Sequence, residues 1–383
     1  MDNCPETCCH GWMIPITVED NNRFKNETGL LKLRLKLAIR NKELKCFNAG
    51  SGTCPFLVSK RNLQGYITSG ARNKQGLCSL QLSKGHDFLP EACRMFPRFY
   101  RNYGTFEEHY IDLSCTAAAE LFLKHHKDLR LIKYSGNPLS SLCTTNDDSD
   151  YLTLLVRIRT SITDRLCRVT SMQTLNTVVL NIYSHSAMIQ NFFLTGKKAS
   201  EFLNKETPLF PDTKNNTCIS EVKNPFFPAG IGFYSDIMST SFYHPMLKKT
   251  NPSLFKLCNL YINKYNDIMN SEKKWKELVS SFIDKYNYFP GIMSALMAYY
   301  LYLYYLKNYE DYSFTKNASL GIIHINMILM FTILHELEQT SIKKSDKISV
   351  ITHKDIARII SVYIRRACYN DRILDEMYKC FEQ

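Results

Sequence analysis

The chain lacks several signatures that would have narrowed its function at once. No basic segment running into an apolar one opens it, so an exported protein is not expected and a cytosolic one is. No glycine-rich G-x-G turn follows a clear strand, which leaves a doubly wound nucleotide-binding fold without support. No pair of C-x-x-C motifs is present, so a zinc finger is a poor fit. There is no internal repeat and no low-complexity tract. The most apolar window, Leu320 to Leu337, is interrupted by His324, Asn326 and His335, which favours a buried helix over a membrane span.

Charge is not scarce, but it is not organised either. The formal net charge is +12, from 48 Lys and Arg against 36 Asp and Glu. The basic residues are dispersed rather than gathered in a stripe. Neither a helix-turn-helix nor an aromatic RNA-binding signature accompanies them, so nucleic acid ranks last among the partners considered. A dispersed lysine surplus reads first as a solvated surface.

Cysteine is abundant and uneven. Of the 14 cysteines, Cys4, Cys8, Cys9, Cys46, Cys54, Cys78, Cys93 and Cys115 precede residue 120. A reducing compartment disfavours disulfides and favours metal or catalytic roles for clustered thiols. Cys143, Cys167, Cys218, Cys258, Cys368 and Cys380 are scattered, and read as small buried apolar residues. Cys46 reads as structural too.

The texture of the chain changes near residue 112. Before it, glycines and prolines interrupt the sequence, from Gly50 to Pro97. There Leu31 to Leu37, LKLRLKL, alternates as a half-buried strand would, although the basic helix formers beyond it allow a helix. After it, LSCTAAAELFLKHH reads as a helix with Ser114 as cap. Helices are also expected within 152–188, 252–284, 291–309 and 320–340, with a last one starting near Thr352. Lys205 to Pro245 reads as loop. The fold expected is mainly α: an irregular cysteine-rich metal or cluster domain over 1–112, on a multi-helix body over 113–383.

The cysteine segments are CPETCCHGW (4–12), TCPFL (53–57), LCSLQ (77–81), ACRMFPRFY (92–100) and LSC (113–115). A metal or iron–sulfur site needs about four soft thiolates around one centre, and loops can aim them inward. The ligand candidates are Cys4, Cys8, Cys9, Cys54, Cys78 and Cys93, with Cys115 in reserve. Trp12, Arg94 and Arg98 are candidates for contact with a bound cofactor. Trp12 would exclude water. The two arginines would neutralise a negative cluster or hold a carboxylate, with surface ion pairing as the plainer alternative.

In order and in wording, CPETCCHGW, CPFL, LCSLQ, CRMFPRF and LSCTAAAELFL resemble the flagellin lysine-N-methylase family. The cysteine part also resembles the wider group of zinc- or iron-chelating domains built on a CC motif. The likeness covers residues 4 to about 123. One further cysteine of the family pattern would fall before Met1, and MSALMAYYLYLYYL does not reproduce the family's Glu-Asn-Tyr stretch. The resemblance implies a cytosolic enzyme that methylates lysine ε-amino groups of flagellin with S-adenosylmethionine. It also implies a [4Fe-4S] cluster on the N-terminal cysteines. The spacing C-x-x-x-C-x-x-C of radical S-adenosylmethionine enzymes is absent. Tyrosines 299, 300, 302, 304 and 305 are candidates to flank a cationic lysine or sulfonium, against the plainer reading of packing. No catalytic base stands out. The alternative is a non-enzymatic zinc- or iron-binding module for metal handling or protein interaction.

Overall fold

A computed structural model describes residues 13–41, 45–47, 54–58, 78–133, 146–203, 210, 231–239, 248, 252–342, 350–368 and 371–382. Strand β1 (Ile14–Pro15) leads into helix α1 (Val18–Lys25) and α2 (Gly29–Ala38). Strands β2 (Ile39–Asn41) and β3 (Lys45–Phe47) follow, with β3 central in the antiparallel order β1-β3-β2. Then come α3 (Ser79–Lys84), α4 (Glu91–Met95) and an antiparallel hairpin of β4 (Arg98–Asn102) and β5 (Glu107–Ile111). The rest is helical: α5 (Thr116–His125), α6 (Asn146–Leu166), α7 (Met172–Leu194), α8 (Ala199–Leu203) and α9 (Ile231–Ile237). After these lie α10 (Pro252–Lys264), α11 (Asn266–Met269), α12 (Glu272–Lys285), α13 (Phe289–Tyr304) and α14 (Asn308–Asp311). The chain ends with α15 (Phe314–Ile342), α16 (His353–Ala367) and α17 (Asp371–Glu382). The protein is mainly α.

Two apolar clusters form. The smaller unites Ile14, Phe24, Leu35, Phe47, Phe56, Leu80 and Leu89. Its rings touch in sequence: Phe24 stacks on Phe47 at 5.8 Å, and Phe47 meets Phe56 at 4.9 Å. The larger starts at Leu113 and runs through the helices to Met377. Helix α15 is its axis, packed by α7, α13, α16 and α17. It is long and apolar enough to cross a membrane, but 94 % of its apolar window is buried within the fold.

The alternation in 31–37 gives a helix, not the expected strand. Leu35 and Ala38 are buried, while Leu33 and Leu37 are 54 % and 67 % exposed. A strand would have put Leu33, Leu35 and Leu37 on one face. A helical turn separates them, and the cluster takes only the face bearing Leu35. The cap of α5 is Cys115 rather than Ser114, and no side-chain bond closes it. Thr352 does cap α16, in a capping box with Asp355. Within 205–245, otherwise read as loop, the described part includes helix α9.

The hairpin clasps the C-terminal end of α13. A helix ends with carbonyls that lack intrahelical partners and a negative dipole end. Arg101 donates to the Leu303 carbonyl. Arg159, from α6, donates to the Tyr302 carbonyl at 3.2 Å and forms a two-pronged pair with Glu108 of β5. The Tyr302 hydroxyl donates back to the His109 carbonyl at 3.1 Å. Tyr299 accepts from the Leu113 N–H at 3.3 Å and donates to the Ile111 carbonyl at 3.2 Å. Arg159 and Glu108 are both buried, so each depends on the other for its charge balance.

Breaking that pair should be costly. Arg159→Ala strands Glu108 and is expected to destabilise by about 3–5 kcal/mol. The joint replacement Glu108→Leu with Arg159→Met should recover most of that loss in thermal melts. On α2, Leu35→Ala should cost about 2–5 kcal/mol and Leu37→Ala under about 0.5 kcal/mol, whereas a strand would make the two alike.

Candidate metal centre

Cys54 opens a short turn in which its carbonyl accepts from the Leu57 N–H at 3.0 Å. Leu57 pairs antiparallel with Cys78. Beside it, the Phe56 carbonyl accepts from the Ser79 N–H at 2.7 Å. These contacts set the Cys54 turn against the start of α3. Helix α2 grips the turn from another side. Arg34 donates to the Pro55 carbonyl at 3.1 Å, and its guanidinium covers the Phe56 ring at 5.2 Å.

Cys93 arrives on α4, where its N–H donates to the Pro90 carbonyl at 2.9 Å. Helix α1 fixes this segment. Asp20, fully buried, accepts from the Glu91 N–H at 3.0 Å. Arg23 pairs with Asp20 at 2.5 Å and donates to the Leu89 carbonyl at 2.8 Å. The same Asp20 closes the capping box of α1 with Thr17. One carboxylate thus starts a helix and positions a cysteine segment far along the chain.

The outcome for the candidate ligands is mixed. Cys54, Cys78 and Cys93 come together in the small apolar cluster, Cys54 buried and the other two partly so. Cys115 is at the start of α5 and belongs to neither apolar cluster. Cys4, Cys8, Cys9 and Trp12 lie outside the described residues. Among the described residues, no three His, Cys, Asp or Glu side chains form a metal-holding group. Cys46 is buried in β3, with its sulfur 4.0 Å from the Arg40 carbonyl. Cys258 is also buried, but Cys167 is exposed, contrary to its reading as a core residue, and points at the Leu129 carbonyl at 3.3 Å.

Orphaned polar atoms accompany the cysteines. Ser79 is 3 % exposed, and its Oγ has no hydrogen-bond partner. Arg94 follows Cys93 directly, and its buried Nε has no partner either. Arg98 is exposed and donates back to the Arg94 carbonyl at 3.3 Å. Thiols are the donor type that a soft metal or an iron–sulfur cluster takes, but Cys54, Cys78 and Cys93 do not form a metal-holding group as placed. They do not suit a hard ion such as magnesium, which wants oxygen ligands.

The tyrosine candidates are placed elsewhere. Tyr300, Tyr304 and Tyr305 are buried in the large cluster, and Tyr299 and Tyr302 are spent on the hairpin backbone. Burial pushes the Tyr302 hydroxyl up to about 12. Tyr300 stacks on His324 at 4.5 Å, and burial pulls that imidazole down to about 3, so it is neutral. His324 Nδ1 shares a hydrogen bond with the Tyr363 hydroxyl at 2.8 Å. Burial likewise pushes the nearby Cys368 thiol up to about 12. Burial raises the Asp112 carboxyl, and the hydrogen bond it accepts from the Ser114 N–H, at 2.6 Å, opposes the shift.

Asp20, Arg23, Arg34 and Ser79 were not singled out from the sequence. Only Ser79, beside Cys78, carried a local signal. The others act through contacts across long stretches of chain. No family model, curated protein or solved structure matches the chain.

Removing a gathered thiol should empty the site. In protein reconstituted without air, Cys54→Ala, Cys78→Ala and Cys93→Ala are each expected to lose most bound metal, while Cys46→Ala and Cys115→Ala retain it. Metal and sulfide per chain provide the readout.

Proposed function

We propose that the chain is an S-adenosylmethionine-dependent protein-lysine N-methyltransferase acting on flagellin, with a [4Fe-4S] cluster on its N-terminal cysteines. One observation supports this most: Cys54, Cys78 and Cys93, distant in sequence, share one apolar cluster. The methyl-transfer half rests on the resemblance carried by the five cysteine-bearing segments in order.

The ligand candidates remain Cys4, Cys8, Cys9, Cys54, Cys78 and Cys93, with Cys115 in reserve, and a cluster would require Cys54, Cys78 and Cys93 to draw closer together, since they form no metal-holding group as placed. Bound there, the cluster supplies a compact, negatively charged sulfur-rich centre. In the reaction, a neutral lysine amine attacks the sulfonium methyl group. The carbon–sulfur bond breaks, S-adenosylhomocysteine leaves, and the substituted ammonium releases a proton. The chain must therefore align the two reactants and desolvate the amine. Arg94 and Arg98 remain the candidates to hold an anionic part of the cofactor or cluster.

A zinc- or iron-binding module without catalysis is the rival. It is favoured by the separation of the two apolar clusters, which keeps the cysteines apart from the polar groups around Tyr300 and His324.

Anaerobically prepared protein, incubated with flagellin and methyl-labelled S-adenosylmethionine, should place label on lysine. An intact cluster with unlabelled lysine would refute methyl transfer. A colourless protein holding stoichiometric zinc would establish the rival.

A further inference from the structure

We infer that the outer edge of β4 is a docking strip for an extended, acidic segment of a partner protein, which adds to the hairpin as a third antiparallel strand. Neither the cluster nor methyl transfer enters this inference, so it stands or falls apart from the function proposed above.

The register of the hairpin shows which backbone groups are left over. In an antiparallel pair every second residue bonds to the neighbouring strand, and the residues between turn their N–H and C=O outward. The Tyr103 N–H donates to the Phe106 carbonyl at 2.9 Å, and the Asp112 N–H to the Pro97 carbonyl at 2.7 Å. Phe99 pairs with Tyr110 and Arg101 with Glu108 between them, so positions 97, 99, 101 and 103 bond across the hairpin. Arg98, Tyr100 and Asn102 therefore aim their backbone groups away from β5. The matching outward carbonyls of β5, at His109 and Ile111, accept the Tyr302 and Tyr299 hydroxyls at 3.1 and 3.2 Å. Helix α13 closes that edge. The edge of β4 is open: among the described residues, no hydrogen bond reaches the backbone groups of Arg98, Tyr100 or Asn102.

Side chains select the partner. Arg98, Tyr100 and Asn102 share one face with Ile111, His109 and Glu107, their cross-strand neighbours. That face is wet: Tyr100 and Ile111 are 54 % and 46 % exposed. Arg98 is exposed and forms no ion pair among the described residues. Glu107 sits at the other end of the strip, opposite Asn102, and holds His109 at 3.5 Å. The strip thus calls for a carboxylate opposite Arg98 and, two residues before it in the incoming strand, an aromatic or apolar residue opposite Tyr100. A second copy of the chain would set Tyr100 against Tyr100 and Arg98 against Asn102, and the arginine would gain no counter-charge. Because β4 is short and carries arginine, indiscriminate strand pairing is restrained, and side-chain complementarity decides what docks.

The probe is a fluorescein-labelled peptide, acetyl-Ser-Val-Tyr-Val-Asp-Val-Ser-amide, followed by fluorescence anisotropy. The parent protein should bind it, with hydrogen exchange slowed across 98–102. Arg98→Glu should weaken binding by at least about tenfold, since like charges then face each other. Tyr100→Pro should abolish binding while the protein melts close to the parent, because the N–H it removes is not part of the hairpin ladder. A peptide methylated on its tyrosine and aspartate nitrogens, whose N–H groups face β4, should not bind, whereas one methylated on the valine between them should. The inference is overturned by a parent that ignores the probe, by a folded Tyr100→Pro variant that still binds it, or by equal binding of the tyrosine- and aspartate-methylated peptide or of a lysine-for-aspartate peptide. A concentration-dependent dimer that Tyr100→Pro dissolves would also overturn it, in favour of self-pairing.

Discussion

The backbone bridge between Leu57 and Cys78 joins two of the cysteine segments. It brings two segments that are remote in sequence side by side, and the Ser79 N–H to Phe56 carbonyl bond locks their register. Closing a long loop costs entropy that grows only slowly with its length. A few good contacts can therefore hold it, provided they are kept dry. Phe47, Phe56 and Leu80 keep them dry. Arg34 adds a cation over Phe56, and its bond to Pro55 fixes the turn that presents Cys54. The site is thus assembled by an apolar core, with the sulfurs at its edge.

The helical body solves a different problem. Helix α13 ends inside the protein, where its last carbonyls cannot reach bulk solvent. The hairpin and α6 supply arginines to that end, and tyrosines of α13 reach back to the hairpin backbone. The result is reciprocal: the strand pair satisfies the helix, and the helix pins the strand pair. Cross-strand neighbours Arg101 and Glu108 diverge in this arrangement. Glu108 is taken by Arg159, and Arg101 turns to Leu303 and the face of Tyr110, 5.5 Å away.

What the sequence revealed follows from which forces are local. Helix periodicity, the Thr352 start and the burial of the apolar run around His324 were legible, because each depends on residues within a few turns. The segment 31–37 was ambiguous, because alternating leucines fit a strand until a core selects one face, and here that core is Leu35 against Phe56 and its neighbours. The hairpin at 98–111 was missed: RFYRN and EEHYI carry no strong alternation, and their pairing is stabilised by α13 and α6. Convergence of the N-terminal thiols on one centre was expected; the structure brings Cys54, Cys78 and Cys93 to one apolar cluster, without a metal-holding group among the described residues. The residues that draw these segments together, Asp20, Arg23 and Arg34, were not legible, because nothing local distinguishes them from surface charges. Cys115 shared a motif with the others but stands at the foot of the helical body, where the N-terminus of α5 fixes it.

The two sets of orphaned polar atoms differ in kind. In the helical body, Tyr300 Oη and His324 Nε2 are unpartnered, and both groups are neutral. A neutral orphan in an aromatic core carries a modest penalty that a large apolar cluster can absorb. Beside the cysteines one orphan belongs to a guanidinium, and the cluster around it is small. A charged group taken out of water without a counter-ion costs far more than a phenol does.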